Sequence, residues 1–387
     1  MLYRNRITQQ GWLVHVRRIS SAALLIAGHH AVAQSMEPPL FALSSPLTAS
    51  QLATAVVAHN PDLSSLSAEW RAAQALIPQA LAWDDPTLSY SLAPRTAGDP
   101  DVGLRQSISL SQRIPWPGRR SRHGQIATLE SAVTRADLDL RRLQLVQSAQ
   151  DLFADWYWVH AALDIHGATQ SLLLEIRRIA ESKYTSARAT KQDMLHTETE
   201  SVLLEQRKLL LDRQRREIQA TMNALLNQAA DAPIPPPAPP PGPKTLPDVK
   251  RLQQAALEKR PELQRADKRI EVVNQRVALA DLAHYPDIDF HVAYDEQMDS
   301  VDQRLTVGVS VAIPLPAKRR AARDEAHARA LSERAQRTAR AADVEAQIER
   351  AYAGVREAEQ SLALYENRLL PLAEDSLLAA QTDYQAD

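Results

Sequence analysis

The residues with reactive side chains are dispersed, and their spacing builds no reaction centre. Histidines stand at His123, His160, His166, His196, His284, His291 and His327, and no pair has the His-x-x-x-His or His-Glu-x-x-His spacing. That spacing would put two imidazoles on one helical face, as a zinc site needs. The chain has no cysteine, so thiolate metal sites, disulfides and a lipidated cysteine are excluded. No Gly-rich phosphate loop, nucleophile elbow or catalytic dyad is visible. The expectation is a protein that is not an enzyme and carries no cofactor and no bound metal. A metal that merely passes through would leave no such mark.

Other clusters have structural readings. Phe153, Trp156, Tyr157 and Trp158 resemble a ligand box, but at helical spacing they read as packing residues. Arg119-Arg120-Ser121-Arg122 and Lys318-Arg319-Arg320 oppose the dipole of a helix start, which favours contact with anionic headgroups over a merely solvated turn. A formal net charge of −2 gives nucleic acid no bulk electrostatic attraction.

Residues 1–33 read as a signal peptide. Arg4, Arg6, Arg17 and Arg18 precede the short apolar run Ile19–Gly28, and Ala31-Val32-Ala33 forms a small-x-small cleavage site. His29 and His30 fall in the discarded part. No later stretch is long and apolar enough for a transmembrane helix, so any membrane entry must use strands.

The elements that position everything else repeat. Asn60-Pro61-Asp62-Leu63 returns 200 residues later as Arg260-Pro261-Glu262-Leu263, and Pro86-Thr87-Leu88 returns as Pro286-Asp287-Ile288. The double-proline joint Ile114-Pro115-Trp116-Pro117-Gly118 returns 199 residues later as Ile313-Pro314-Leu315-Pro316. Two prolines one residue apart stop both a ladder and a helix, so each joint turns a strand into a helix. The expected organisation is a first repeat over 34–230, a proline-rich linker over 231–247 and a second repeat over 248–387. The linker, from Pro233 to Pro243, reads as a stiff spacer outside any core.

Each repeat reads as helix, strand, strand and long helix, with entering helices over about 61–82 and 261–284. Scarce glycine and few aromatics favour a mainly α fold with a small β component. Leu305, Val307, Val309, Val311 and Ile313 alternate with Thr306, Gly308, Ser310 and Ala312; Ile288, Phe290, Val292 and Tyr294 alternate with Asp289, His291 and Ala293. In the first repeat Leu88, Tyr90 and Leu92, then Leu104, Ile108 and Leu110, face away from Ser107, Ser109 and Ser111. Each run is close to the ~9–11 residues of a transmembrane strand. Four strands cannot close a barrel, because an open sheet edge in lipid strands unpaired backbone groups. The chain must therefore pool strands with copies of itself.

After the first joint, Ile126, Leu129, Val133, Ala136, Leu140 and Leu143 follow coiled-coil spacing, and Leu138, Leu145, Leu152 and Val159 form a second row. Two stripes predict neighbours on both sides. A returning helix is expected over about 192–227.

The double-proline joint, the Asn-Pro-Asp-Leu helix start, the tandem halves and Tyr184 followed by Gln192-Asp193-Met194-Leu195 together resemble the TolC-like outer-membrane efflux channel family, especially its heavy-metal-efflux branch. The resemblance implies a homotrimer whose four antiparallel transmembrane strands per chain form one 12-stranded β-barrel. The barrel continues into a periplasmic α-helical barrel of long hairpins. It implies location in the outer membrane of a Gram-negative bacterium. The implied partners are a periplasmic adaptor protein, an inner-membrane efflux pump and outer-membrane lipid.

By this resemblance Ser107, Ser109, Ser111, Thr306 and Ser310 line the lumen. Tyr184, Asp193 and Tyr384 mark the periplasmic tip, where Asp193 is either part of an acidic gate or a solvated first-turn carboxylate. The family's tip glycine is replaced by Ala187. The second copy lacks a counterpart of residues 191–228, which reads as a C-terminal truncation with a bare apolar stripe. The expected function is a passive exit duct for small solutes such as metal ions or drugs. A periplasmic coiled-coil adaptor or scaffold is the alternative, and a type I protein secretion duct the third reading.

Overall fold

A computed structural model describes residues 40–93, 105–186, 190–242, 245–297, 303–313 and 315–386. The expected signal peptide over 1–33, and Leu104, Ala187 and Pro314, lie outside the described residues. In chain order the elements are α1 (Ala49–His59), α2 (Pro61–Leu81), β1 (Thr87–Ala93), β2 (Arg105–Ile114), α3 (Arg119–Thr185) and α4 (Lys191–Leu225). There follow α5 (Val249–Lys259), α6 (Pro261–Leu282), β3 (Ile288–Gln297), β4 (Gln303–Val311), α7 (Pro316–Leu364), a π-helical turn (Tyr365–Leu369) and α8 (Leu370–Ala386). The protein is mainly α with one small sheet. Among the described residues no helix is long and apolar enough to cross a membrane.

The entering helices end within two residues of the expected positions, but each is preceded by a short helix that the sequence reading lacked. Both α1 and α5 stop at the residue before a proline, whose ring disfavours the helical conformation there. Their starts carry local signals: Thr48 and Gln51 form a capping box on α1, and the Asp248 side chain accepts from the Lys250 N–H. Asn60 closes α1 and opens α2. Its side-chain oxygen accepts from the Asp62 N–H at 3.0 Å, and its amide donates to the Leu225 carbonyl at 3.0 Å, tying α2 to the end of α4. At the equivalent place Arg260 supplies no side-chain cap and instead bonds Glu262 and Gln347.

The core forms where α1, α3 and α4 meet. Leu52, Val56, Leu138, Leu145, Ala149, Phe153, Trp156, Val159, Leu211 and Met222 belong to one buried cluster. Phe153 and Trp156 are thus packing residues, as expected, while Trp158 stays half exposed. The second row expected on α3 is also in this cluster, through Leu138, Leu145 and Val159, with Leu152 packed against it. Along its length α3 touches α2, α6, α4 and α1, so it has neighbours on more than one side.

The proline-rich linker corrects an expectation. Pro235 is fully buried, and Ile234 packs on the core cluster. The Trp156 indole N–H donates to the Pro235 carbonyl at 3.0 Å. The Leu47 N–H donates to the Pro236 carbonyl at 2.8 Å, and the Ala238 N–H to the Leu47 carbonyl at 2.7 Å. An extended proline run has no internal hydrogen bonds, so its carbonyls are free to accept from a neighbour, and its rings are apolar. The segment is a strap across the core rather than a spacer beside it.

Candidate channel-forming sheet and its helical joints

The four strands make one antiparallel sheet in the order β1-β2-β3-β4, so the central junction joins the two halves of the chain. Residues directly opposite across an antiparallel pair point to the same side, so the register assigns every face. Leu88 opposes Leu110 and Tyr90 opposes Ile108; Ile108 opposes Tyr294 and Leu110 opposes Val292; Val292 opposes Val307 and Tyr294 opposes Leu305. One face therefore carries apolar side chains on all four strands, interrupted at Gln112, and most of them are exposed. Ser109 opposes Ser89 and Ala293, Ser107 opposes Ser91 and Asp295, Ser111 opposes Thr87 and His291, Thr306 opposes Ala293, and Ser310 opposes Asp289. All five serines and threonines expected to share a face do so, on the side away from the apolar band.

Local chemistry fits each face. Gly308 lies under the His291 ring, and a Cβ there would come within 2.2 Å of the imidazole, so glycine leaves room for that side chain. Arg113 and Asp289 form an ion pair at 3.1 Å on the small-polar side. The apolar face ends away from the joints at Gln106, whose amide donates to Glu296 at 2.8 Å.

The first joint is a rigid turn. Strand β2 ends at Ile114, Pro115 and Trp116 lie outside any regular element, and Gly118 takes a φ of 93°, which glycine alone adopts without strain, before α3 begins. Trp116 stacks on Tyr285, and its N–H donates to Asp287 at 3.0 Å. Arg119 donates to Asp287 at 2.6 Å and to the carbonyls of Leu282 and Tyr285. Arg120 lies over the Trp83 ring, 3.9 Å from its centre, and Arg122 bonds Gln275. These cations clamp the first joint to its neighbours, which sequence reasoning missed. The carboxylate at Asp287 was the available signal.

At the second joint Ile313 and Leu315 are exposed, Leu315 caps α7 and Pro316 is its first residue. The side chains of Lys318, Arg319 and Arg320 make no hydrogen bond or ion pair among the described residues.

Below the joints α3 and α6 run antiparallel, bridged by Arg276 to Glu130 at 2.6 Å and by Arg265 to Asp137. Further along α3, His166 bonds the Leu204 carbonyl of α4 at 2.8 Å. Tyr184 lies in the last turn of α3 and Asp193 in the first turn of α4. Tyr384 is on α8. Helices α7 and α8 present Leu331, Leu362, Leu364, Leu370, Leu372 and Leu378 exposed. Pro371 lacks the N–H that would continue the ladder, and the π turn just before it absorbs the mismatch. Among the described residues no group of His, Asp and Glu side chains is arranged to hold a metal ion.

Residues 252–386 match the family model described as outer membrane efflux protein. The match covers about a third of the chain, which is similar to that family over this segment. The chain as a whole shares its fold with solved outer-membrane channels. The outer membrane protein VceC of Vibrio cholerae is 18% identical, with 87% of this chain and 86% of that chain covered at a TM-score of 0.72. CusC, whose crystal structures are described in terms of folding and transmembrane channel formation, is 14% identical, with 92% and 86% covered at 0.70. The CmeC outer membrane channel of Campylobacter jejuni is 13% identical, with 87% and 78% covered at 0.65. A comparison with curated protein sequences gives no match. The TolC-like fold is thus the fold of this chain.

Proposed function

We propose that the protein is the outer-membrane exit duct of a tripartite efflux system, a passive conduit for small solutes. The observation that carries this reading is the sheet. Its exposed face is apolar across all four strands, its other face is small and polar, and both hairpins continue into long helices. A periplasmic adaptor has no use for an apolar band in water, whereas a barrel in lipid requires one.

In this reading three copies pool their strands into one barrel. The face bearing Ser107, Ser109, Ser111, Thr306 and Ser310 lines the lumen, and the helices carry the conduit into the periplasm. Tyr184, Asp193 and Tyr384 lie towards the end that docks an adaptor and an inner-membrane pump. Cargo moves passively through the lumen, with energy supplied at the inner membrane. In the same reading the chain comprises repeats over 34–230 and 248–387 following a cleaved leader, with the proline-rich segment between them.

Fractionation tests the reading directly. The full chain should stay with outer membranes after urea and alkaline washes, and the purified protein should add discrete conductance steps to planar bilayers. Release with soluble protein by the washes would overturn it in favour of the adaptor.

A further inference from the structure

On the small-polar face of the sheet the register sets residues in rows across the strands. Nearest the joints, Arg113 stands opposite Asp289, and Asp289 opposite Ser310. The next row is Thr87, Ser111, His291 and Gly308, and the one after it Ser89, Ser109, Ala293 and Thr306. Beyond these come Ser91, Ser107, Asp295 and Arg304, and then Arg105 opposite Gln297.

In the second and third rows every residue but His291 is small and uncharged. His291 is also the one histidine of the described strands. Its imidazole has room because of Gly308, where a Cβ would come within 2.2 Å of the ring. The ring lies across β4, half-buried, and makes no hydrogen bond or ion pair among the described residues. The charges in the flanking rows are matched instead. Arg113 pairs with Asp289 at 3.1 Å, and Asp295 stands directly opposite Arg304. At the joint, Asp84 and Asp287 lie within electrostatic reach of Arg113. The charged groups that share the face with His291 are thus Arg105 and Arg113 on β2, Asp289 and Asp295 on β3, and Arg304 on β4. Strand β1 contributes none, and each acid of the face is set opposite a base.

We propose that His291 sets the ion selectivity of the conduit and makes it respond to pH. Histidine is the side chain whose ordinary charge change falls between pH 5 and 8. In acid, each copy then adds a positive charge to rows of the lumen that hold no other, which repels cations and draws in anions. At alkaline pH the same rows are neutral and do not discriminate. A unit charge about 10 Å from a passing ion changes its local concentration about twofold in unscreened water, in opposite senses for the two signs of ion. The inference rests on the lumen assignment proposed above and adds a selectivity determinant to it.

Reversal potentials test it. The full chain is reconstituted in planar bilayers with a KCl gradient near 0.01 M, where the Debye length is about 30 Å. Readings at about pH 8 and pH 5.5 stay above the ordinary range of carboxylates. The wild-type potassium-to-chloride permeability ratio should fall about two- to fourfold at the lower pH. His291→Gln should keep the alkaline ratio at both values, and His291→Lys the acid ratio at both. A conducting wild-type channel with one ratio at both pH values, or a shift that survives in His291→Gln, overturns the inference and leaves the duct reading intact. If His291→Gln forms no channel, His291→Lys decides: a constant acid ratio supports the inference, and a pH-dependent one overturns it. A wild-type chain that gives no conductance overturns the duct reading itself.

Discussion

The indole of Trp116 lies flat on the ring of Tyr285, with ring centres 4.7 Å apart and 8° between the planes. The two residues belong to different halves of the chain: Trp116 sits in the turn out of β2, and Tyr285 in the approach to β3. Together with the Arg119–Asp287 ion pair, whose arginine side chain is only 14% exposed, the stack holds the strand-to-helix turn at the place where the halves join. The joint is therefore held by contacts between halves as well as by its prolines.

That stack should be measurable as a coupling. Trp116→Ala is expected to destabilise the protein by about 2 kcal/mol through lost apolar contact and stacking, and a double-mutant cycle with Tyr285→Ala should return about 1 kcal/mol of interaction. Thermal unfolding in detergent would measure both. Additive losses would show that the rings touch without contributing.

Close packing of α2 on α3 predicts a size threshold at Gly124. A Cβ there would lie 2.3 Å from a terminal carbon of Leu81, a flexible and half-exposed side chain. Gly124→Ala should therefore stay within about 1 kcal/mol, because helix propensity offsets the displacement of Leu81. Gly124→Leu should cost about 2–3 kcal/mol by overpacking, and adding Leu81→Ala should recover most of it. The readout is again the unfolding midpoint.

The strap across the core predicts that Trp156→Phe costs about 2 kcal/mol. The phenyl ring keeps most of the apolar contact but leaves the Pro235 carbonyl without its donor. Limited proteolysis of residues 233–242 should accelerate in parallel. A variant with unchanged proteolysis would mean that the strap is held by its other contacts, Leu47 above all.

The two faces of β4 predict opposite responses to one added charge. Val309→Asp places a carboxylate in the apolar band at a cost of about 1–3 kcal/mol and should deplete the protein from washed outer membranes. Ser310→Asp, one residue on and on the small-polar face, should insert normally. Quantitative blotting of membrane fractions separates the outcomes, and equal effects would reverse the assignment of lipid and lumen.

Patterns short in sequence were legible without a structure. Period-two alternation placed Val309 and Ser310 on opposite faces, because strand geometry turns each successive side chain over. The prolines at 115, 117, 314 and 316 located both joints, because each removes a donor and fixes a torsion whatever surrounds it. The 200-residue offset revealed the two halves. Helix α1 was also readable from its Thr48–Gln51 box, a signal passed over because the helix is short and lacks a long apolar stripe.

Other features were decided only when distant residues met. Nothing near Pro235 announces that it is buried: its environment is made by Trp156 and Leu47, 79 and 188 positions away, and a proline run in isolation is solvated. The arginines after the first joint likewise read as a headgroup patch until Asp287, Trp83 and Gln275 came within reach. Local backbone rules fix torsions and faces because they act within a few residues. Partners for a buried carbonyl or a charged side chain are set by chain reversal over tens of residues to more than a hundred, which tertiary packing alone decides.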